Sequence, residues 1–212
     1  MQMNSRAQRR AVVNFLPVIL ALAILSLLSA CGERIYASDE AVQAARYQHG
    51  GAAELTLVTI MNYASNRGDH TGLFINGNER VLFDPAGSWT LEAIPERNDV
   101  HFGMTPAAGA SYYISHVRPS HYAVVQRLVV SPEVAEQAKA LALQAGPVPP
   151  ARCAAATSAL LRQLPGFEGI GGTFFPQVLM RSFAELPGVQ TYELHHDDPD
   201  IQAKMLQVQR PL

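Results

Sequence analysis

The stretch His70-Thr71-Gly72-Leu73-Phe74-Ile75-Asn76-Gly77-Asn78-Glu79-Arg80-Val81-Leu82-Phe83-Asp84 reads as a β-hairpin. Two short runs, His70–Ile75 and Arg80–Asp84, flank the turn-forming quartet Asn76–Glu79. A tight turn puts the start of one strand beside the end of the next, so His70 and Asp84 are expected to face each other. A carboxylate paired with an imidazole fixes its tautomer and stabilises its protonated form.

Working outward, Glu54–Met61 (ELTLVTIM) predicts a buried strand, joined to the hairpin by the polar loop Asn62–Asp69. Downstream, Pro85–Pro106 is rich in turn residues and reads as irregular. Ala110–Val117 and Tyr122–Val130 are expected to be two more strands, separated by Arg118-Pro119-Ser120-His121. Ser131-Pro132-Glu133 predicts a helix start: a serine N-cap, proline in the first turn and a carboxylate at the positive end of the dipole. That helix runs through Gln144 and stops at Gly146. A second helix over Ala151–Leu164 has Cys153 in its first turn, and Thr173–Leu186 and Val189–Leu194 read as a third helix and a closing strand. A short helix is expected at Asp39–Tyr47. Four to six strands with later helices give an α+β fold. The domain is expected over 53–194, with a solvated tail at 195–212.

The chain of 212 residues is 48% hydrophobic but only 16% charged, against about 25% in ordinary globular proteins. That excludes wholesale disorder, and the portion beyond residue 30 is long enough for one core of ordinary size, so a single, monomeric domain is expected. Three of the 16 basic residues (Arg6, Arg9, Arg10) and none of the 18 acidic ones fall within the first 30 positions. The remainder is therefore net acidic and has no Lys/Arg cluster, which argues against nucleic acid as a partner.

Met1–Arg10 is basic, Ala11–Leu28 is apolar, and Leu28-Ser29-Ala30-Cys31 closes the run with small residues and a cysteine. This order resembles the lipobox of bacterial lipoproteins. The resemblance implies a signal peptide over 1–30, an acylated Cys31 heading a lipidated tether over 31–52, and attachment to the membrane on the periplasmic side of the cell envelope. Gly32, rather than an aspartate, after the cysteine favours the outer membrane over the inner. The alternative is an uncleaved signal anchor. With Cys31 lipidated, Cys153 is the one thiol left, so neither an internal disulfide nor a multi-thiolate metal site can form. Cys153 is then either a small buried apolar residue or a used thiol. Its place in the first turn of a helix lowers a thiol pKa.

The stretch from His70 to Asp84 resembles the histidine-bearing hairpin of NlpC-type papain-like cysteine hydrolases. Cys153 comes after the histidine here, which is similar to the circularly permuted branch of that superfamily, with its relatives of lecithin–retinol acyltransferase. The resemblance implies a papain-like fold, an antiparallel sheet packed against helices with the cysteine at a helix N-terminus, with Cys153 as nucleophile, His70 as general base and Asp84 as the orienting residue. It also implies peptidoglycan peptide or a lipid acyl group as substrate. Arg152 stands where many permuted members have asparagine, and Asp84 where the third residue is often histidine.

Asp69, Tyr113 and His116 are placed at the rim of a substrate cleft, with Tyr112, His121 and Arg67 nearby; Trp89 either covers that cleft or packs. No cofactor is called for. The run His195-His196-Asp197-Asp198 does not read as a metal site, because four consecutive residues on a strand cannot all face one ion. Leu179, Phe183 and Leu186 at helical spacing are core. The alternative to an enzyme is a non-catalytic envelope lipoprotein that binds peptide or lipid on the same fold.

Overall fold

The computed structural model describes residues 35–212. The expected signal peptide, the lipidated Cys31 and the first part of the tether lie outside the described residues. The elements run α1 (Asp39–Ala45), β1 (Glu54–Asn62), β2 (Arg67–Asn76), β3 (Arg80–Phe83), β4 (Glu96–Arg97), β5 (Val100–Phe102), α2 (Pro106–His116), β6 (His121–Val129), α3 (Pro132–Gln144), α4 (Cys153–Leu161), α5 (Pro176–Ala184), β7 (Gln190–Leu194) and α6 (Ile201–Gln207). The fold is α+β, built on one antiparallel seven-stranded sheet of order β4-β5-β3-β2-β1-β6-β7.

Alternation along the strands divides two cores across the sheet. Leu55, Leu57, Leu73, Ile75, Val81 and Phe83 face one way and pack with Ala135 and Ala138 of α3, Leu160 and Leu161 of α4, and Leu179 and Phe183 of α5. Val58, Ile60, Phe74, Leu82, Ala123 and Val125 face the other way, against Tyr112 and Tyr113 of α2 and Met205 of α6. The central strand β1 is buried on both faces over Glu54–Met61, which is why it reads as a nearly continuous apolar run rather than an alternating one.

Three expectations are corrected. Ala110–Val117 belongs to a helix, α2, not a strand: Thr105 Oγ1 accepts from the Ala108 N–H and Pro106 fills the first turn. The segment Pro85–Pro106 contains the short strands β4 and β5. The stretch 195–212 is not a solvated tail. Met205, Val208 and Gln209 are buried, and the Gln209 amide bridges Arg80, Pro106 and Met205. Arg127 pairs with Glu54 through two buried hydrogen bonds and also donates to the Arg210 carbonyl.

Two details of β2 prepare the site. Its ladder with β3 covers only Leu73–Asn76, so β3 leaves the edge of β2 uncovered at His70–Gly72. On the other side the register with β1 steps from Ile60↔His70 to Met61↔Gly68, leaving Asp69 as an unpaired bulge residue. A bulge bends its strand and re-aims the neighbouring side chains.

Candidate active site

His70, Asp84 and Cys153 come together at the uncovered edge of β2. His70 Nε2 donates to Asp84 Oδ1 at 2.6 Å, with the His70 side chain 15% exposed and that of Asp84 fully buried. Cys153, the first residue of α4, is 6% exposed and a free thiol. His70 also hydrogen-bonds the Cys153 side chain. Because Nε2 is committed to Asp84, Nδ1 is the nitrogen that faces the thiol.

The electrostatics favour the charged form of each of the three groups. Burial pushes the Cys153 thiol up, but the hydrogen bond and positive charge of His70, with the N–H groups of Thr71 and Ala154, hold it below the ordinary thiol value. Burial alone would lower His70; the charge and hydrogen bond of Asp84, then Cys153, outweigh it and raise His70 to about 10. Burial would likewise raise Asp84, and His70 more than offsets it, so the carboxyl lies below its usual range.

Sequence reading missed what holds Asp84. Tyr112 Oη donates to the same Oδ1 at 3.0 Å, and burial first, then Asp84, raises its phenol well above the ordinary value, so it stays a donor. Two glycines keep the carboxylate's place open. A Cβ at Gly72 would lie 2.6 Å from the Tyr112 hydroxyl and 3.3 Å from Asp84 Oδ1, and one at Gly87 would overlap Asp84 Oδ2. Trp89 is 6% exposed and packs edge-on against Tyr112 and His101 in the core. The only sequence signal for Tyr112 was the Thr105-Pro106 helix start, since a helix puts Tyr112 and His116 one turn apart on one face.

The three residues expected at a cleft rim have different fates. His116 stacks on His70 with ring centroids 5.7 Å apart. Asp69, the bulge residue, accepts from His121 Nε2 at 2.9 Å and from the Asn62 amide at 3.1 Å. Tyr113 lines no cleft: it is fully buried beside Phe74 in the core, because consecutive residues of a helix point about 100° apart. His195, expected in a solvated tail, stacks on Tyr122 and hydrogen-bonds the Tyr63 hydroxyl. Ser158 ties Thr173 to α4 by accepting its N–H.

The cysteine-bearing helix and the histidine-bearing strand are joined by the segment leading into α5. Arg152 lies over the exposed ring of Phe174, and the Gly68 N–H donates to Gln177 Oε1. Among the described residues no group of three or more His, Cys, Asp or Glu is placed to hold a metal ion. No helix there is long and apolar enough to cross a membrane. In comparisons with known proteins, no family model, no curated protein and no solved structure matches the chain.

Proposed function

We propose that this chain is a thiol hydrolase or acyltransferase of the cell envelope, anchored through a lipidated Cys31, with Cys153 as nucleophile, His70 as proton carrier and Asp84 as the residue that orients it. The observation that carries the reading is the relay in which one imidazole bonds a buried carboxylate at 2.6 Å and a thiol of lowered pKa. The chain order His–Asp–Cys, with the cysteine heading a helix and the histidine on a sheet, supports a papain-like, permuted NlpC-type arrangement.

In the first half of the reaction the Cys153 thiolate adds to the carbonyl carbon of an amide, ester or thioester. The first N–H groups of α4 have no intrahelical partner and are available to the oxyanion. The tetrahedral adduct collapses, the bond to the leaving group breaks, and the His70 imidazolium gives that group its proton. A thioester on Cys153 remains, to be taken by water or by a second acceptor. Peptidoglycan peptides and lipid acyl groups are both within reach of an envelope anchor.

The test needs no substrate. Alkylation of Cys153 by iodoacetamide is followed against pH in the full chain carrying Cys31→Ser. Rapid reaction below about pH 7, shifted toward the free-thiol value of about 8.5 in His70→Ala, is the expected result. A profile that tracks an ordinary thiol in both proteins would overturn the reading and leave Cys153 a packing residue.

A further inference from the structure

The last turn of α2 carries a second histidine that the reaction above leaves unused. The His116 ring lies nearly parallel to His70, at 10° between planes. Its Nδ1 is 2.8 Å from the Tyr112 carbonyl oxygen and 2.9 Å from Ser115 Oγ. The carbonyl can only accept. The Ser115 hydroxyl donates its own hydrogen to that carbonyl at 2.7 Å, so toward His116 it too can only accept. Nδ1 therefore carries the proton, and Nε2, on the side of the ring away from the helix backbone, holds a lone pair. Among the described residues Nε2 makes no hydrogen bond, and the ring is half-buried.

The two stacked imidazoles are thus prepared for opposite tasks. His70 faces an acceptor at each nitrogen, Asp84 and the Cys153 sulfur, and is held as a cation able to donate. His116 is held as a neutral ring able to accept. Burial is what chiefly keeps His116 below the ordinary histidine value; the hydrogen bond to the Tyr112 carbonyl and then Asp84 work against that shift, and the charges of His70 and Arg118 work with it. After His70 has protonated the leaving group, Asp84 still sits on its Nε2. With His70 reprotonated from solvent, the ring left able to accept a proton is His116, stacked upon it.

Resting on the thiol-hydrolase reading, we infer that His116 Nε2 is the general base for hydrolysis of the Cys153 thioester, so that acid and base duties are divided between two stacked histidines. In this step Nε2 takes a proton from water and the water oxygen bonds to the acyl carbon. The carbon–sulfur bond then breaks, and the thiolate leaves paired with the His70 imidazolium. The acid so formed gives its own proton to solvent as it ionises to the carboxylate product, and the proton on His116 follows.

The test is stopped-flow hydrolysis of p-nitrophenyl acetate by the full chain with Cys31→Ser, alongside His116→Gln and His116→Ala. In both variants the burst of nitrophenol, which reports acylation, is expected within about twofold of the parent. The steady-state rate should fall roughly 10²-fold, the usual scale of general-base catalysis, while acetylated Cys153 accumulates by mass spectrometry. Added imidazole should restore turnover in His116→Ala, which a merely structural role for the ring would not allow. Burst and steady state falling together, or a steady state that does not change, would overturn the inference while leaving Cys153 as nucleophile. A parent protein with no burst, indistinguishable from Cys153→Ala, would instead overturn the thiol-hydrolase reading on which it rests.

Discussion

His70 Nε2 and Asp84 Oδ1 lie 2.6 Å apart, in a place where the carboxylate is fully buried and the imidazole nearly so. A charge-assisted contact of that kind is strong only while both partners stay ionised. Asp84→Asn keeps the shape and removes the charge. The expected outcome is a fall of about 10-fold or more in the rate of Cys153 alkylation at neutral pH, with the thiol titrating nearer about 8.5. Iodoacetamide kinetics from acid to alkaline pH check this.

The same pair sets a pH window for stability. His70 is raised to about 10, so its contribution is complete below the ordinary histidine value and is lost as pH rises through about 10. Asp84 is lowered, so its contribution is present above the ordinary carboxyl value and is lost as pH falls. The Cys153 thiol, itself lowered, slopes the other way, so the measurement belongs in Cys153→Ala, where Asp84 still raises His70. Urea midpoints there should be highest between about pH 5 and 6.5 and decline toward alkaline pH. Asp84→Asn should flatten the decline.

Asp84 Oδ1 takes two donors, His70 and Tyr112, and Gly72 gives the Tyr112 hydroxyl and the carboxylate room to meet. Tyr112→Phe removes one hydrogen bond to a buried charge, at a cost of about 1.5–3 kcal/mol. Gly72→Ala should push the hydroxyl off the carboxylate and slow alkylation about as much as Tyr112→Phe does. Together the two substitutions should be little worse than either alone, because they break one contact. Chemical unfolding and alkylation of the three variants check the coupling.

On the other side of β1, Glu54 and Arg127 are an ion pair with side chains 6% and 4% exposed. Arg127→Met strands a buried carboxylate and should destabilise the domain by about 3–5 kcal/mol. Adding Glu54→Leu should recover most of that loss. Thermal or urea unfolding of the single and double variants decides it.

How much of the fold was legible in the sequence depends on where each signal sits. Alternation and turn chemistry are local, so β1, the β2–β3 hairpin, β6 and the serine-proline start of α3 could be read directly, and with them the facing of His70 and Asp84. The helix α2 was misread because Tyr112, Tyr113 and Ile114 carry strand propensity, although Thr105-Pro106 gives the same start signal as Ser131-Pro132. Propensity lost to capping and tertiary burial, and with the period went the distinction between Tyr112 at the site and Tyr113 in the core. The bulge at Asp69 depends on pairing with β1, and Gly87 matters only because Asp84 Oδ2 occupies the space its Cβ would need. Neither leaves a mark in the local sequence.

The docking of residues 205–212 bears on when the domain can fold. Gln209 closes over Arg80, its carbonyl accepts from His49, and the Leu212 carbonyl accepts from Ala52. The segment just before β1 is therefore completed by residues synthesised well after the central hairpin. While the chain is still emerging, the buried Arg80 lacks its Gln209 acceptor and Arg127 lacks the Arg210 carbonyl. Final closure then waits for synthesis to pass residue 209, so the domain folds after its central hairpin is made rather than alongside it.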